Sequence, residues 1–331
     1  MSRARTGRLI GLDGITDRGK MAGLFGGNFM HYQRFVLVGL SCVALSACGG
    51  GGGGGLTSTP PPPAQPNASL ANLRVSEDFV GRAGVMQYNV LRSTGGATQR
   101  AAALNSSALV RYDASTQSYT VVGINLPQST FAAANRQSGE STPVISVYEK
   151  VSGNKRENLA LFNPGAANTE LALTYASYGA LQTIVDKGAN LDVDTAFFTF
   201  GVQTAASDMP RTGTSNYRTR IDGQFSDAAG VYALSGPSTF SANFGAGTFA
   251  FDMDLTGQNV VNGSRKSLGT HSIDGSISMG NQFSGNTSGG GTYSANLGGY
   301  FYGPAAAEMG GSFSLVGGGG VGAGAVVGKK E

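Results

Sequence analysis

The residues with the most definite chemistry are Leu45-Ser46-Ala47-Cys48. Arg34 and an apolar run from Phe35 to Leu45 precede them. That run is too short to span a bilayer as a stable helix, and it has the layout of a signal peptide. An aliphatic residue, two small residues and a cysteine resemble a bacterial lipobox. The small side chains let a signal peptidase reach the bond between Ala47 and Cys48, and the Cys48 thiol then accepts diacylglycerol. Cleavage at Ala47–Cys48, lipid attachment at Cys48 and anchoring in a membrane are therefore expected. Met30 is the preferred start and Met21 the alternative, so residues 1–47 comprise an N-terminal extension and the signal peptide. Cys42 lies in the cleaved segment, which leaves one cysteine, already acylated, and no disulfide.

Other candidates for chemistry are weaker. After Cys48 the chain has one histidine, His271, in "GTHSIDGS", with no second histidine for a relay or a metal pair. A surface position on a strand is the expected place for it, with haem or metal ligation as the alternative. Ser152 and Lys155 have Ser-x-x-Lys spacing but fall in a turn, without the partner motifs of the enzymes that use it. "DMDLTGQN", Asp252 to Asn259, imitates a calcium loop, yet Gly263 stands where the closing glutamate belongs. Asp252 and Asp254 read better as the solvated face of a strand. Gly317 to Gly324 lack the Lys-Ser/Thr of a phosphate loop. No enzyme, no cofactor and no metal site are expected.

Composition supports a chain of strands and tight turns. Glycine is the leading residue at 53 of 331, only 13% of residues are charged, and tryptophan is absent. The net charge of +3 comes from the N-terminal segment: after Arg34, 17 basic residues face 18 acidic ones. No basic footprint for nucleic acid remains. Gly49 to Gly55 form a flexible tether and Pro60 to Pro63 a stiffer spacer. No aspartate follows Cys48, so the inner-membrane retention signal of enteric bacteria is missing. Residues 48–70 form the lipidated tether, which reaches about 70 Å when stretched.

The remainder divides at "FNPGAAN". Residues 71–168 read as a smaller β-rich handle domain, with hairpins turning at Asp113–Thr116 and at Ser152–Asn154. Residues 169–331 read as a soluble eight-stranded antiparallel β-barrel, so the fold class is all-β. Its strands are expected near 171–178, 195–203, 213–225, 230–236, 239–244, 247–256, 270–302 and 309–327, the last two interrupted. "GTFAFDMDL" alternates strictly, with Phe249, Phe251, Met253 and Leu255 opposite Thr248, Ala250, Asp252 and Asp254. A phenylalanine-rich face opposite a charged one suits a filled barrel rather than a lipid-facing one. "GGYFYGPAAAEMGGSFSL" then reads as a corner. Tyr300 and Tyr302 share one face and Phe301 takes the other. Gly303 and Pro304 end the strand, Pro304 opens a helical turn, and Glu308 accepts backbone N–H groups or pairs with a cation. Gly310 and Gly311 let the chain re-enter the sheet, and Phe313 returns to the core. The alternative is a ligand loop. Tyr178 and Tyr217 are candidates for either core or rim.

Here a resemblance becomes specific. The corner motif of Tyr302, Gly303, Pro304, Glu308, Gly310, Gly311 and Phe313 resembles the closing strands of the lipoprotein barrel of transferrin-binding protein B. "LTYASYG", "FFTFGVQTAASDMPRTGTSNY" and "LSGPSTFSANFGAGTFAF" match that family's pattern in order, over about Leu171 to Lys330. "VRYDASTQSYTV" is similar, more loosely, to its handle domain. Members have two handle-plus-barrel lobes, and this chain has room for one. Related barrels occur in factor H-binding protein and in haem- or haemophore-binding surface lipoproteins. The resemblance implies a binding protein in the outer membrane, lipid-anchored at the cell surface, that captures a protein or haem-carrier ligand for iron acquisition. An outer-membrane receptor and a Slam-type translocator are the partners it implies. The other reading is a structural or periplasm-facing envelope lipoprotein with no captured ligand. Ligand-binding residues are not legible in the sequence.

Overall fold

A computed structural model describes residues 65–123, 126–278, 280–287 and 291–331. The lipobox, Cys48, the start methionines and the tether up to residue 64 lie outside the described residues; the last residues expected in the tether are described, and Asn67 and Leu70 are buried against the first sheet rather than free. Seventeen strands dominate the described residues. The first eight are β1 (Glu77–Leu91), β2 (Ala97–Asp113), β3 (Ser118–Gly123), β4 (Leu126–Phe131), β5 (Ile145–Ser152), β6 (Lys155–Phe162), β7 (Ala176–Asp186) and β8 (Asn190–Gly201). They form one antiparallel sheet in the order β4-β3-β2-β1-β8-β7-β6-β5. The rest are β9 (Thr214–Asp227), β10 (Gly230–Ser235), β11 (Ser238–Asn243), β12 (Thr248–Asn259), β13 (Arg265–Ile277), β14 (Gln282–Thr287), β15 (Tyr293–Tyr302), β16 (Glu308–Gly317) and β17 (Gly320–Lys330).

This second sheet closes on itself. β9 pairs with β17 on one side and with β10 and β11 on the other, and the ladder continues through β12 to β16. β10 and β11 are two halves of one strand position, broken at Gly236-Pro237, so eight positions make the barrel. Its interior is solid. Phe225, Phe240, Phe249, Phe251, Phe283, Phe301 and Phe313 are all buried in one cluster. β12 shows the expected alternation without exception from Thr248 to Leu255, and Asp252 and Asp254 point to solvent. No described helix is long and apolar enough to cross a membrane, which says nothing of strands.

The expected barrel strands near 171–178 and 195–203 belong instead to the first sheet. β7 and β8 pair with β6 and β1, and the chain changes sheets between Gly201 and Thr214, not at 168/169. Punctuation at Pro164-Gly165 marks a loop inside the first sheet. Sequence could not separate the cases, because a strand alternates in the same way whichever sheet it joins. Both expected hairpins form, as β2–β3 and β5–β6. In the first of them Asp113 Oδ1 accepts from the backbone of Ser115 at 2.8 Å and of Thr116 at 3.1 Å.

The two sheets pack closely because the wall between them is built of small residues. β17 presents Val321, Ala323, Ala325 and Val327, and these join Met86, Tyr88 and Val90 of β1 in a shared core. A Cβ on Gly84 would lie 2.4 Å from the Phe313 carbonyl oxygen, so no larger residue fits there unless the backbone moves. Polar groups in this wall find partners across it. The Tyr88 hydroxyl donates to Gln224 at 2.7 Å, and the Tyr178 hydroxyl donates to Asp222. Asp222 also accepts from Arg220 Nε at 2.8 Å. The charged face of "TSNYRTRIDGQF" is therefore buried from Asp222 onward, under the first sheet. Tyr178 and Tyr217 are both core residues, at 1% and 3% exposure.

The corner joins the sheets at one end of the molecule. Pro304 opens a short 3₁₀ turn to Ala306, after Gly303 at φ +70° with the Tyr175 ring against it. Ala305 and Ala306 adopt φ of 51° and 54°, a left-handed conformation that costs a non-glycine residue energy. Glu308 is not in the turn but is the first residue of β16. It is 1% exposed, and its carboxylate accepts backbone N–H groups of Thr174 at 2.7 Å and of Tyr175 and Ala176 at 2.8 Å each. It thereby ties the barrel to the entry of β7. Burial pushes this carboxyl above its ordinary range, against the pull of the three donors.

Phe313→Ala is expected to cost about 3–5 kcal/mol in denaturant melts, the usual range for a buried phenylalanine. Glu308→Ala removes the acceptor of three backbone N–H groups, that of Ala176 buried, and should cost about 2–3 kcal/mol, whereas Pro304→Ala should cost less than about 1 kcal/mol. The pH dependence follows from the raised carboxyl. Its stabilising contribution is present in acid and is lost as pH rises through the folded-state value. Relative to Glu308→Gln, the parent chain should therefore gain stability as pH falls from 7 toward the ordinary glutamate range. Melting curves of both proteins across that interval measure it.

Candidate functional site

Strand direction sorts the hairpin tips to two ends. β1 runs from Glu77 to Leu91, so the ends lie about 50 Å apart. The corner and residues 65–76 occupy one end. There Leu70 N–H donates to Thr174 O at 2.9 Å, and Asn67 Oδ1 accepts from Arg74 N–H at 2.7 Å. The Asn67 amide reaches Glu77 at 2.7 Å. The tether therefore enters at this end.

The opposite end is a rim of turns drawn from both sheets. Asp186 N–H donates to Asn154 O at 2.8 Å, which sets the β7–β8 turn against the β5–β6 turn. Arg92 N–H donates to Ala189 O at 3.1 Å, and Arg92 pairs with Asp186 at 2.6 Å, which brings in the β1–β2 turn. Gly96 then crosses the β9–β10 turn so closely that a Cβ on it would lie 2.5 Å from Ala228 O. Val260 N–H donates to Val231 O at 2.9 Å and adds the β12–β13 turn. Asx-type bonds fix these tips: Asp227 Oδ1 accepts from Ala229 and Gly230, and Asn259 Oδ1 from Val261 and Asn262.

This rim carries apolar side chains in solvent. Of six exposed large hydrophobic residues among those described, Val151, Leu91, Val261 and Val316 lie at or beside these tips. Val151 is 60% exposed. Arg92, Lys155, Lys187 and Arg265 stand around them. Apolar spots in a charged border on a scaffold of fixed turns suit contact with another macromolecule. Sequence offered one hint. Val260-Val261 is an apolar doublet at a turn, and alternation can bury only one of the two. Val151 gave no such signal.

The other sequence-level candidates do not assemble a reaction centre. His271 is not on the surface. It is 6% exposed inside the barrel, because it shares the inward face of Ile273. Burial lowers its pKa. Ser152 and Lys155 flank the Gly153-Asn154 turn of β5–β6. Asp252 lies beside Ser272, whose hydroxyl donates to it at 2.5 Å. Gly317 to Gly319 make the β16–β17 turn with positive φ. Among the described residues no group of three or more His, Cys, Asp or Glu side chains is placed to hold a metal ion.

Residues 209–330 match the family model of the C-lobe and N-lobe beta barrels of Tf-binding protein B. No curated protein matches. Among solved structures, a double mutant of the vaccine antigen Transferrin Binding Protein B from Haemophilus parasuis is similar at 15% identity, over 80% of this chain and 77% of that one, with a TM-score of 0.38. Isotype 1 Transferrin binding protein B from Neisseria meningitidis gives 13% identity over 81% and 78%, with a TM-score of 0.31. The N-lobe of Lactoferrin Binding Protein B from Moraxella bovis gives 14% over 76% and 99%, with a TM-score of 0.35. The matched span opens just before β9 and closes at the end of β17, so this chain has a barrel of the kind found in the lobes of Tf-binding protein B.

Proposed function

We propose that the chain is a lipid-anchored surface protein of the outer membrane, held by acylated Cys48, that captures a protein or haem-carrier ligand on its distal rim for metal acquisition. One observation carries the reading: residue 65 enters at the end opposite the rim. A chain tethered through residues 48–64 turns its apolar-spotted tips outward. Three acyl chains anchor durably where one does not. The filled barrel, which carries fixed turns at its rim, suits the presentation of a surface. The barrel's kinship with the Tf-binding protein B lobes supports a protein ligand. An outer-membrane receptor and a Slam-type translocator are the partners proposed for this role.

Two experiments test it. Cys48→Ser should release the protein from membranes or leave uncleaved precursor; unchanged fractionation with undiminished acyl label would remove the anchor. Protease added to intact cells should clip the wild-type chain, and full protection would favour an envelope protein facing the periplasm. For the rim, Val151→Asp with Val261→Asp should leave the melting temperature within about 1–2 °C. The same pair should reduce capture of whichever of transferrin, lactoferrin or a haem-loaded carrier binds the parent chain. Capture unchanged by the pair would place the site elsewhere.

A further inference from the structure

Gly298 is a glycine that neither conformation nor packing requires. It lies midway along β15, between the corner and the rim, and its φ is not positive. A Cβ built on it would meet ordinary neighbours, the nearest being Asn105 Nδ2 at 3.5 Å and Arg82 Nε at 3.8 Å, both from the first sheet. The adjacent Gly299 has no such freedom, since a Cβ there would lie 2.2 Å from the Phe283 ring. Glycine weakens a strand interior, and it often marks a place where another group approaches the backbone closely.

Two donors flank the space over Gly298. Arg82 Nε is buried with no hydrogen-bond partner. Arg82 Nη2 donates to Gln282 Oε1 at 3.2 Å, and the guanidinium carbon lies 5.6 Å from the centre of the Tyr300 ring. Neither contact neutralises the charge, and no ion pair among the described residues includes Arg82. Asn105 Nδ2 gives one N–H to Ser312 O at 2.8 Å, and Asn105 Oδ1 accepts from the Ser312 hydroxyl at 2.7 Å, which fixes the orientation of the amide. The second N–H of Nδ2 has no acceptor among the described residues. Two residues back on the same face of β15, about 7 Å along the strand, Asn296 Oδ1 is buried without a donor. Asn296 Nδ2 is held by Ser314 Oγ at 2.7 Å. Buried polar atoms are nearly always paired. Ser107, opposite Arg82, and Ser284, opposite Gly298, are exposed, so these groups are reached from solvent.

We propose that the groove between β2 and β15 binds a carboxylate, whose oxygens lie over Gly298 and accept from Arg82 Nε and Asn105 Nδ2, and whose own hydroxyl or amide N–H donates to Asn296 Oδ1. A fixed guanidinium edge matches the charge and plane of a carboxylate. The carboxylate is that of a free hydroxy acid or of the last residue of a peptide, because each carries a donor a short step from its oxygens. Glycine at 298 leaves room for those oxygens. The site uses none of the rim residues and is independent of the role proposed for the rim.

The test titrates citrate, and acetyl-Ser-Gly with a free or an amidated C-terminus, into the full chain at constant ionic strength. Nuclear magnetic resonance reads the Arg82 Nε–H, the Asn105 side-chain amide and the Gly298 amide. At least one of the two carboxylates should move all three signals saturably: citrate alone assigns a free acid, the peptide alone a chain end. Gly298→Ala sets a methyl where the oxygens lie and should weaken binding at least about tenfold, with the melting temperature within about 2 °C of the parent. Arg82→Lys keeps the charge without the Nε–H, should also bind about tenfold more weakly, and serves if Gly298→Ala fails to fold. Val151→Asp with Val261→Asp should bind as the parent does, which separates this groove from the rim. Titrations that move none of the signals, an amidated peptide that binds as tightly as the free acid, or binding undiminished in both variants would overturn the proposal.

Discussion

The molecule depends on the close approach of β1 to the wall formed by β16 and β17. Gly84 lies against the Phe313 carbonyl with no room for a Cβ, and Ala323 is beside it. Glycine at 84 and alanines at 323 and 325 remove side-chain bulk from the seam, so the sheets meet nearly backbone to backbone. The apolar area buried there drives the docking. The seam also holds buried polar groups, Tyr88 with Gln224 and Tyr178 with Asp222, and leaving these unpaired would oppose the docking. That requirement fixes one register between the sheets. A slip of one residue would take Asp222 away from the Tyr178 hydroxyl and Gln224 away from the Tyr88 hydroxyl.

From that fixed register follows the distribution of tips. Because both sheets are antiparallel and aligned across the seam, their turns collect at two ends. One end is closed by Glu308, which holds the entry of β7, and by Asn67, which holds the incoming chain. The other end gathers turns from both sheets, and each touches the next through a backbone contact. The exposed valines of the rim are therefore held in place by the seam some distance below them.

Much of this was legible in the sequence where one residue type has one use. The strict alternation of Thr248 to Leu255 gave β12 and its faces. Asp113 gave its turn, and the aromatic order of Tyr300, Phe301 and Tyr302 gave the two sides of β15. The Gly-Pro corner was recognisable as a device, but the partners of Glu308 were not, since Thr174 to Ala176 lie more than 130 residues away in the chain. The sheet to which β7 and β8 belong was misread for a related reason. Alternation reports that a face is buried but not what buries it. His271 lies elsewhere than expected because a titratable residue on a strand as polar as β13 usually faces solvent, whereas here it shares the buried face of Ile273. The candidate rim was almost invisible, because it arises only when turns distant in sequence are brought together.

The seam makes both sheets move as one body, so that the rim is a single surface. Spin labels on Lys187, at the β7–β8 tip, and on Asn262, at the β12–β13 tip, report that directly through their separation. One narrow distance distribution is expected in the parent chain, broadened when Gly84→Val forces the seam apart. A broad or two-peaked distribution in the parent chain would contradict it, because the rim would then be two independent sets of loops.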